Sequence, residues 1–536
     1  MSIKYLLILV FTLMFEFLNA QSNAPIGLQN HIQPSNAYAI KMPAIPIEQI
    51  KIEDEFVDNV KTIPWRFGYK MSSTINFNTS GEWHTLQDGS KLWQVKIVCK
   101  DAQSINIQFE NYHLAKGSFI YLYNQKNNAV LGPYTHENNI PENIMASSIL
   151  VGDEMIVEYF EPNNITTSST FEISNVVHGY RTFGAKSSAS FGSSCSNGNN
   201  INCAIGSNWQ IEKRSVSMIV VGGSGFCSGS LLNNVQQDTT PYLMTANHCT
   251  QGTTSNSLLS WVFVFNYESP NCNNVNGNLN QSITGAKLVA ANKKSDFGLL
   301  ILNKKIPLWF RPYFSAWNNL DSIPDSVVCI HHPLGDIKKI SFANNKCQDS
   351  TYTDKYTSKC WKIGHWDNGI TEPASSGSPL YNKYHEFVGQ LYGGPSFCGC
   401  NDSDKNDYFG KFSVSFFADT FINLAAQHWL DSSKTGTSRM VGFDPGFSNS
   451  ITETKYLQPS EMFIFPNPAI ENITIQSNKL FSEIQVFDML GREIIHLEIE
   501  NKKQHTLSIS NLLKGIYIIK IKNIDNEIAV SKLSKF

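Results

Sequence analysis

The interpretation of this chain begins from three short stretches, which are TANHC (residues 245–249), SDFGLL (295–300) and ASSGSP (374–379). They supply a histidine, an aspartate and a serine in that order. A serine hydroxyl is a weak nucleophile until a neighbouring imidazole takes its proton, and a buried carboxylate holds that imidazole in the required tautomer. The apolar residues after Asp296 predict a strand that buries it. We therefore expect His248 to act as a general base, Asp296 to orient it and Ser376 to be the nucleophile.

The surroundings of these residues agree with the same chemistry. His248 follows an apolar run at 242–244, which predicts a position at the end of a strand. The small residues around Ser376 predict a tight turn that exposes its hydroxyl and directs backbone N–H groups at a developing oxyanion. Each such donor contributes about 3–4 kcal/mol. Each stretch alone is common by chance, but in this order the three match chymotrypsin-fold proteases and predict a serine endopeptidase.

Residues 187–445 carry further stretches that are typical of one protein family. These are NYE (266–268), IHHP (330–333), TEP (371–373), GQLYGGPS (389–396) and WLD (429–431). With them, the segment resembles the bacterial lysyl endopeptidases, a secreted branch of the chymotrypsin-fold serine proteases. The resemblance implies a mainly β fold with a double β-barrel catalytic domain, and a triad of His248, Asp296 and Ser376. The backbone N–H groups of Ala374 and Ser376 would form the oxyanion hole, and we expect no cofactor and no metal.

The substrate preference depends on which acid reaches the primary pocket. In trypsin-like enzymes that acid lies six positions before the nucleophile, where this chain has Ile370, so an apolar preference would follow unless an acid comes from elsewhere. The resemblance implies that Asp407 is that acid, while Tyr392 and Gly393 lie on the strand expected to pair with substrate backbone. Because a buried substrate ammonium needs a charged partner, we expect cleavage after lysine in proteins or peptides. The alternatives are arginine acceptance, or an Asp407 that is only another acid of the polar loop 401–407.

Two residues beside the nucleophile depart from familiar patterns. Ala374 stands where lysyl endopeptidases have glycine, and in a left-handed conformation alanine costs about 1–2 kcal/mol more than glycine. We therefore expect a slower enzyme, and the alternative is a catalytically weak or silent adhesin or binding protein on a protease scaffold. Ser375 replaces the aspartate that precedes the nucleophile in trypsin, as it does in the lysyl endopeptidases. Activation by a new N-terminus that pairs with that aspartate is therefore excluded.

Other chemistry-bearing residues have more ordinary interpretations. His331 and His332 could form half of a metal site, but no third ligand is clustered with them in sequence, so structural histidines at a strand end are favoured. Glu372 either touches substrate or stabilises the turn before the nucleophile. Tyr392 either flanks His248 or forms an ordinary pocket wall.

The charge balance limits which classes of partner the chain could bind, and the cysteine content indicates its redox compartment. The chain has 42 Lys and Arg against 45 Asp and Glu, which favours neither nucleic acid nor an anionic surface. Its eleven cysteines fit an oxidising compartment. The resemblance implies the disulfides Cys195–Cys398, Cys203–Cys272 and Cys227–Cys249. Each such bridge contributes about 2–4 kcal/mol to the free energy of unfolding.

Cys347 and Cys360 flank a polar loop, which predicts a further bridge. Cys329 is expected to be buried in a strand, Cys99 and Cys400 have no evident partners, and the odd total leaves at least one thiol unpaired in the chain.

The chain divides into five predicted segments. These are a signal peptide (1–20), a β-rich pro-segment (21–186), the catalytic domain (187–445), a linker (446–460) and a C-terminal domain (461–536). Short apolar strands and turns before Lys186 predict a β-sandwich, which we interpret as a folding and inhibitory pro-segment. Cleavage after that lysine would remove it, and a lysine-specific enzyme could perform this cleavage itself. A retained binding module is the alternative. Helical spacing of apolar residues at 418–430 predicts a helix at the end of the catalytic domain. No stretch after the signal peptide reaches membrane length, so no transmembrane anchor is expected.

The C-terminal domain carries two specific stretches, FPNP (465–468) and GIY (515–517). With these it resembles the type A sorting domains of the type IX secretion system, which deliver proteins across the outer membrane of Gram-negative bacteria. Alternating strands and glycine turns indicate a compact β-sandwich. We expect the type IX machinery as a partner, and export through the periplasm to the medium or the cell surface. A carbohydrate- or protein-binding sandwich is the alternative.

Overall fold

The computed structural model describes residues 24–126, 128–182, 199–446, 462–488, 493–512, 514–523 and 528–535. The chain is mainly β, as predicted, and it separates into two compact units after residue 446. The predicted signal peptide, the cleavage site at Lys186 and the cysteine Cys195 lie outside the described residues. The predicted linker also lies outside them, apart from residue 446.

The N-terminal region consists of short helices followed by β-strands. The helices are Ile26–Gln29 and Ile47–Glu55. The strands are β1 (Ile40–Lys41), β2 (Trp65–Arg66), β3 (Gly68–Ile75), β4 (Glu82–Thr85), β5 (Lys91–Val98), β6 (Ser104–His113), β7 (Phe119–Asn124), β8 (Ala129–Thr135), β9 (Met145–Ala146), β10 (Leu150–Val151), β11 (Glu154–Glu161) and β12 (Thr170–Gly179).

All of these strands except β2 form the predicted β-sandwich. One sheet has the order β1-β5-β11-β7-β8, with β4 paired to β5, and the other has the order β10-β6-β12-β3, with β9 paired to β6. Side chains alternate across a strand, so each sheet turns one apolar face inward. The two faces share a buried core that includes Trp93, Val95, Ile107, Tyr159 and Val176.

The predicted catalytic region, described over residues 199–446, contains a second series of strands. They are β13 (Asn199–Asn200), β14 (Val216–Val221), β15 (Gly225–Leu231), β16 (Tyr242–Ala246), β17 (Val262–Phe265), β18 (Ser282–Thr284), β19 (Ala286–Asn292), β20 (Phe297–Leu302), β21 (Trp317–Asn318), β22 (Val327–His331), β23 (Lys339–Ala343), β24 (Gln348–Thr353), β25 (Thr357–Ile363), β26 (Pro379–Asn382), β27 (Phe387–Gly393), β28 (Asp407–Lys411) and β29 (Arg439–Met440).

Two sheets built from these strands position the site, as a chymotrypsin-like fold requires. The first has the order β18-β17-β14-β15-β16-β20-β19, and β2 of the N-terminal region pairs with β15. The second has the order β13-β23-β22-β26-β27-β28-β25-β24, with β21 and β29 at its side. A buried core shared by both sheets contains Met244 and Phe297 of the first, and Ile330, Tyr381 and Phe387 of the second. The site therefore lies between two packed sheets, and the N-terminal region adds a strand to one of them.

The helices of the catalytic region are short, and the predicted helix at 418–430 is wrong in its extent. Helices occupy Phe412–Phe417 and Gln427–Leu430 instead, and helical turns occur at Asn247–Thr250 and Ser255–Leu258. Asp419 Oδ1 accepts hydrogen bonds from the next two backbone N–H groups, at 2.8 and 3.3 Å. The Asn423 carbonyl accepts another from β19 at 3.0 Å. These bonds compete with those of a continuous helix. None of the helices in the described ranges combines the length and apolar character needed to cross a membrane.

The C-terminal unit is built from long strands around its own core. They are β30 (Met462–Phe465), β31 (Asn472–Asp488), β32 (Glu493–Ser508), β33 (Gly515–Asn523) and β34 (Ile528–Lys535). Their hydrogen bonds form one sheet in the order β30-β31-β33-β34, with β32 on β31. The β31–β32 register shifts between Gln476 and Phe481, so β30 pairs with the first half of β31 and β33 with the second. Both halves contribute to one core, for example through Ile473 and Ile484.

Two of the predicted disulfides are present, Cys203–Cys272 and Cys227–Cys249. Cys398 is also disulfide-bonded, and its predicted partner Cys195 lies outside the described residues. Free thiols are found at Cys99, Cys329 and Cys400. Cys329 is buried within β22, as expected.

The predicted Cys347–Cys360 bridge is wrong, because both thiols are free and buried. In the hairpin of β24 and β25, Cys360 pairs with Ser350, and Cys347 comes just before Gln348, which pairs with Lys362. The two cysteines are therefore three positions out of register. At about 3.3 Å per residue this offset is about 10 Å, which exceeds the Cα separation that a disulfide spans.

Candidate active site

Strands β16 and β20 bring the predicted base and its carboxylate together. β16 runs into the helical turn Asn247–Thr250, while Asp296 comes directly before β20. The strands pair antiparallel with Ala246 opposite Phe297, so His248 and Asp296 extend from the same end of the pair. His248 Nδ1 lies 2.7 Å from Asp296 Oδ2, and the His248 backbone N–H donates to Oδ1 at 3.0 Å. Both side chains are buried. The arrangement can hold an imidazole in one tautomer and orientation.

Tyr356 is a third member of this group, and no sequence motif marks it. It lies in the turn between β24 and β25, and its hydroxyl donates to Asp296 Oδ1. Asn247 Nδ2 donates to that hydroxyl at 2.8 Å. Burial, together with the Asp296 carboxylate, holds the pKa of Tyr356 well above its usual value, so the phenol stays a neutral donor. The carboxylate is thereby fixed from two sides.

Tyr392, on β27, lies beside the histidine. Its ring centroid is 5.9 Å from that of His248, and it stacks on Tyr356 at 5.4 Å. Its hydroxyl donates to the Tyr356 carbonyl at 2.7 Å. Of the two interpretations of Tyr392, the geometry agrees with a residue that flanks His248.

The candidate nucleophile, Ser376, follows a turn with a left-handed residue. The Ser375 N–H donates to the Glu372 carbonyl at 3.1 Å, Pro373 is second in the turn, and Ala374 is third with φ +70°. This is the arrangement of a type II turn, whose third position favours glycine. The alanine here therefore costs about 1–2 kcal/mol over glycine. Glu372 begins the turn and its side chain is buried, which agrees with a turn-stabilising role.

The turn is anchored to the first catalytic sheet. Ser228, on β15, donates its backbone N–H to the Ser376 carbonyl at 2.8 Å and its hydroxyl to the Ala374 carbonyl at 3.0 Å. Gly377 has φ +83°, and a Cβ there would lie 2.3 Å from Thr245 Oγ1. The turn therefore packs tightly against β16, the strand that leads to the histidine.

Ser375 takes part in a buried hydrogen-bond network. Its hydroxyl lies 2.8 Å from His331 Nδ1, and His331 Nε2 lies 3.1 Å from Ser341 Oγ. Burial lowers the pKa of His331 to about 3, so the ring is neutral at ordinary pH. His332 Nδ1 contacts the Asp336 carbonyl at 2.9 Å. Both rings have structural partners, in agreement with the structural interpretation of these histidines.

Asp407 begins strand β28, and its side chain is fully buried where the primary pocket is predicted. Its Oδ2 accepts hydrogen bonds from Trp366 Nε1 (2.7 Å), Thr371 Oγ1 (2.8 Å) and Ser396 Oγ (2.5 Å). A Cβ at Gly394 would lie 2.4 Å from Asp407 Oδ1, so glycine makes room for the carboxylate. Three donors, which lie between 11 and 41 positions before Asp407, thus hold one carboxylate oxygen and leave the other for a further partner. Sequence spacing alone marks none of these donors.

A lysine of the N-terminal region, Lys61, fills this pocket. Its Nζ lies 2.6 Å from Asp407 Oδ1 and donates to Ser396 Oγ at 2.8 Å and Thr371 Oγ1 at 2.9 Å. Its carbonyl oxygen accepts a hydrogen bond from the Ser376 hydroxyl. Burial lowers the pKa of Lys61, and the Asp407 carboxylate opposes this effect. One residue therefore spans the distance from the candidate nucleophile to the pocket carboxylate.

The hydroxyl of the candidate nucleophile is hydrogen-bonded to Lys61 and not to the candidate base. Because the Ser376 hydroxyl donates to Lys61, His248 Nε2 has no hydrogen-bond partner among the described residues. The next residue, Thr62, lies beside Gly393, where an added Cβ would come within 3.3 Å of the threonine methyl. The backbone around Lys61 thus follows the strand expected to pair with substrate.

Two family models match the chain. Residues 191–410 match the lysyl endopeptidase C-terminal domain, and residues 463–535 match a secretion system C-terminal sorting domain. Both resemblances inferred from the sequence motifs are confirmed. The first match contains every site residue described above except Lys61 and Thr62. The second indicates export through the type IX system to the cell surface or the medium.

Individual relatives cover parts of the chain. A lysyl endopeptidase of Pseudomonas aeruginosa is 30% identical over 286 residues, which are 50% of this chain and 60% of the relative. The chain therefore spans less than two thirds of that relative's length. A solved structure, the inactive form of Rv3671c from M. tuberculosis with a serine-to-alanine mutation, aligns with 14% identity and a TM-score of 0.25. That alignment covers 37% of this chain and 82% of the solved chain.

Proposed function

We propose that this chain is a serine endopeptidase that hydrolyses peptide bonds after lysine through an acyl-enzyme. The Ser376 hydroxyl attacks the scissile carbonyl while His248 accepts its proton at Nε2. Asp296 holds the Nδ1–H of His248 and stabilises the imidazolium that forms. The backbone N–H groups of Ala374 and Ser376 stabilise the oxyanion. His248 then gives the proton to the leaving amine, and water attacks the acyl-enzyme to regenerate the serine.

The position of Lys61 is the observation that carries this proposal. Its carbonyl accepts a hydrogen bond from Ser376, while its ammonium lies 2.6 Å from Asp407. A substrate lysine held in the same way would present its carbonyl to the nucleophile and its charge to the pocket carboxylate. Because Asp407 is fully buried, a neutral side chain in the pocket would leave its charge unpaired. An apolar preference, suggested by Ile370 alone, is therefore disfavoured.

The pocket also favours lysine over arginine. The ammonium of Lys61 is enclosed, with 1% of its side chain exposed, and it contacts oxygens of Asp407, Thr371 and Ser396. Three acceptors match the three donors of an ammonium. A guanidinium is planar and carries five N–H donors, so it would need more space and further acceptors.

In the same proposal, residues 21–186 are a pro-segment that is removed by cleavage after Lys186. The pairing of β2 with β15 supports it, because the N-terminal region is folded onto the catalytic region. We expect N-terminal sequencing of the secreted protein to start at Ser187. A start far from that residue would contradict the assigned cleavage site.

The activity is tested with the matured protein and lysyl, arginyl and phenylalanyl amide substrates. We expect the lysyl substrate to be preferred and Ser376→Ala to lower its kcat/KM by at least about 10⁴-fold. Asp407→Asn should lower lysyl kcat/KM on the order of 10²- to 10³-fold, since a buried ammonium loses its partner. The matched control is Asp404→Asn, a change of another acid in the same loop, which should leave kcat/KM unchanged.

Two outcomes would contradict the proposal at different points. Cleavage that does not depend on Ser376 would overturn the enzyme assignment. A preference for the phenylalanyl substrate, with Asp407→Asn indifferent, would overturn the pocket role and leave a serine protease of apolar preference.

A further inference from the structure

The chain that continues from Lys61 stays bound along the catalytic region. Thr62 is 1% exposed, and its hydroxyl donates to Asp354 Oδ2 at 2.6 Å. Three residues later β2 pairs antiparallel with the first residues of β15. The residues that follow the Lys61–Thr62 bond are thus held by backbone and side-chain contacts, as those of a bound substrate would be.

Ion pairs centred on the buried carboxylate of Asp54 tie the residues before this bond to those after it. Asp54, which is 1% exposed, accepts hydrogen bonds from Arg66 Nε at 2.8 Å and Nη2 at 2.6 Å. Arg181 pairs with the same carboxylate and, at 2.6 Å, with Asp58. The Asp54–Arg66 pair therefore closes a loop whose middle is the Lys61–Thr62 bond.

Because the Asp54–Arg66 pair holds both ends of the loop, attack by Ser376 on the Lys61–Thr62 bond would not release a product. If Ser376 attacks the Lys61 carbonyl, the ester bond forms, the C–N bond to Thr62 breaks, and the serine proton passes through His248 to the Thr62 nitrogen. In an ordinary substrate the new amine diffuses away. Here the ion pairs and β2 hold it beside the acyl-enzyme at a high effective concentration. The amine can attack the ester, re-form the peptide bond and return the proton through His248 to Ser376.

We propose that residues 54–66 are an inhibitory loop, with Lys61 as its substrate-like occupant and the Asp54–Arg66 pair as the clamp that retains both ends. The active site stays blocked until these residues are removed. This inference rests on the proposed function, because it assigns Lys61 to the pocket that takes the substrate lysine.

Access to Ser376 tests the loop independently of substrate preference. A fluorophosphonate probe labels an activated serine whatever the enzyme's specificity, so its rate is measured on the full-length chain and on the matured enzyme. Chain lengths are checked by mass spectrometry. With a tethered occupant at a millimolar or higher effective concentration, we expect the full-length chain to label on the order of 10²-fold more slowly. Equal labelling rates would overturn the inhibitory loop, and this comparison needs no variant.

The role of Lys61 itself is tested with Lys61→Met in the full-length chain. Methionine keeps a similar length but removes the ammonium, so labelling should rise toward the rate of the matured enzyme. The matched control is Lys51→Met, because Lys51 is a lysine of the same region with 52% of its side chain exposed. It should label at the wild-type rate. A rise in labelling cannot come from unfolding, since the probe requires an assembled triad. Circular dichroism identifies a misfolded variant, and a folded Lys61→Met chain that labels no faster would overturn the proposal.

Failure of the two proposals can be told apart. If the matured enzyme is not labelled at Ser376, the proposed function fails. If the matured enzyme is labelled and cleaves lysyl substrates, but the full-length chain is equally reactive, only the inhibitory loop fails.

The clamp is tested by Arg66→Gln in the full-length chain, with cleavage between residues 61 and 62 followed by mass spectrometry after acid quenching. Without the ion pair the amine end should leave, so the cut product should accumulate at least about tenfold faster than in the wild type. Ser376→Ala added to the same chain should abolish the product. An unchanged rate of product formation would overturn the clamp.

Discussion

Ala374 holds a backbone conformation that glycine adopts more readily. Its φ of +70° is set by the turn that begins at Glu372, and the beta carbon biases the free turn toward other conformations. The fraction of molecules with an aligned oxyanion N–H should therefore rise when the beta carbon is removed.

We accordingly predict that Ala374→Gly raises kcat for a lysyl amide substrate by up to about fivefold, which corresponds to roughly 1 kcal/mol. Ala426→Gly is the matched control, because Ala426 has an ordinary φ of −71° and kcat should not change. An unchanged or lower kcat in Ala374→Gly would mean that the alanine does not limit the turn.

His331 and His332 make stability depend on acidity. Burial lowers the pKa of His331 to about 3 and that of His332 well below its usual value, whereas an unfolded histidine titrates near 6.5. Below pH 6.5 the unfolded chain takes up protons that the folded chain does not. Above pH 6.5 these two histidines do not lower the free energy of unfolding. As the pH drops from 6.5 toward 3, that free energy decreases by about 1.4 kcal/mol per pH unit for each histidine.

Urea unfolding of the Ser376→Ala chain, followed by tryptophan fluorescence at pH 7 and pH 5, measures this dependence. All ten tryptophans lie in the larger unit, so the signal reports on that unit alone. His332→Gln should reduce the number of protons taken up on unfolding by about one, and so make the free energy of unfolding less dependent on pH. If His332→Gln leaves the pH dependence of the free energy of unfolding unchanged from that of the Ser376→Ala chain, then His332 has the same pKa in the folded and unfolded states.

At the scale of single residues, the sequence predicts a site residue when the neighbouring residues in the chain indicate its position and role. His248, Asp296 and Ser376 each stand next to a strand or turn whose pattern is visible in the chain. Lys61 and Tyr356 could not be found in that way, because their roles depend on contacts across 315 and 60 positions of the chain. A lysine preference gives a reason to look for a pro-segment lysine, but the sequence does not distinguish one such lysine from another.

At the scale of elements, the β24–β25 hairpin decides the state of two cysteines. Its register places Cys360 opposite Ser350, out of reach of Cys347. We predict that both thiols are alkylated when the protein is unfolded without reductant, while Cys227 and Cys249 remain protected. Burial raises the pKa of Cys347 to about 12, so its reaction in the folded protein at pH 8 should be slow. Peptide mass spectrometry identifies the labelled cysteines, and a linked peptide containing 347 and 360 would contradict the register.

The same hairpin explains why this bridge was wrongly predicted. Two cysteines around a polar loop indicate a hairpin correctly, but sequence spacing does not fix which residues face each other. The helix expected at 418–430 failed for a related reason. Its apolar spacing is helical, but the Asp419 side chain and strand β19 take up backbone groups that a helix needs. The sandwich strands were predictable because alternation along a strand directly determines which face is buried.

At the scale of the whole molecule, the two compact units predict separable functions. The C-terminal unit has its own buried core and matches a sorting domain, whereas every site residue lies before residue 446. We predict that deleting residues 447–536 leaves the tryptophan-monitored free energy of unfolding within about 0.5 kcal/mol and kcat/KM unchanged. Export by a host with the type IX system should be lost. Unchanged export of the shortened chain, compared with the full-length chain in the same host, would contradict the sorting role.

Under the proposed function, the pairing of β2 with β15 has a consequence for which substrates are cleaved. β16 pairs with β15 at Ser230 and Leu231, and β2 pairs with it at Gly225 and Phe226. Trp65 and Arg66 are the fourth and fifth residues beyond Lys61, so under the proposed function a substrate bound like this segment would contact the protein well past the cleaved bond. A substrate that supplies its own strand there would gain main-chain bonds that a small lysyl amide cannot make. We therefore expect cleavage to depend on the length and flexibility of the substrate segment that follows the cleaved lysine. Lysines in extended or unfolded segments would be cut in preference to lysines at a carboxyl terminus.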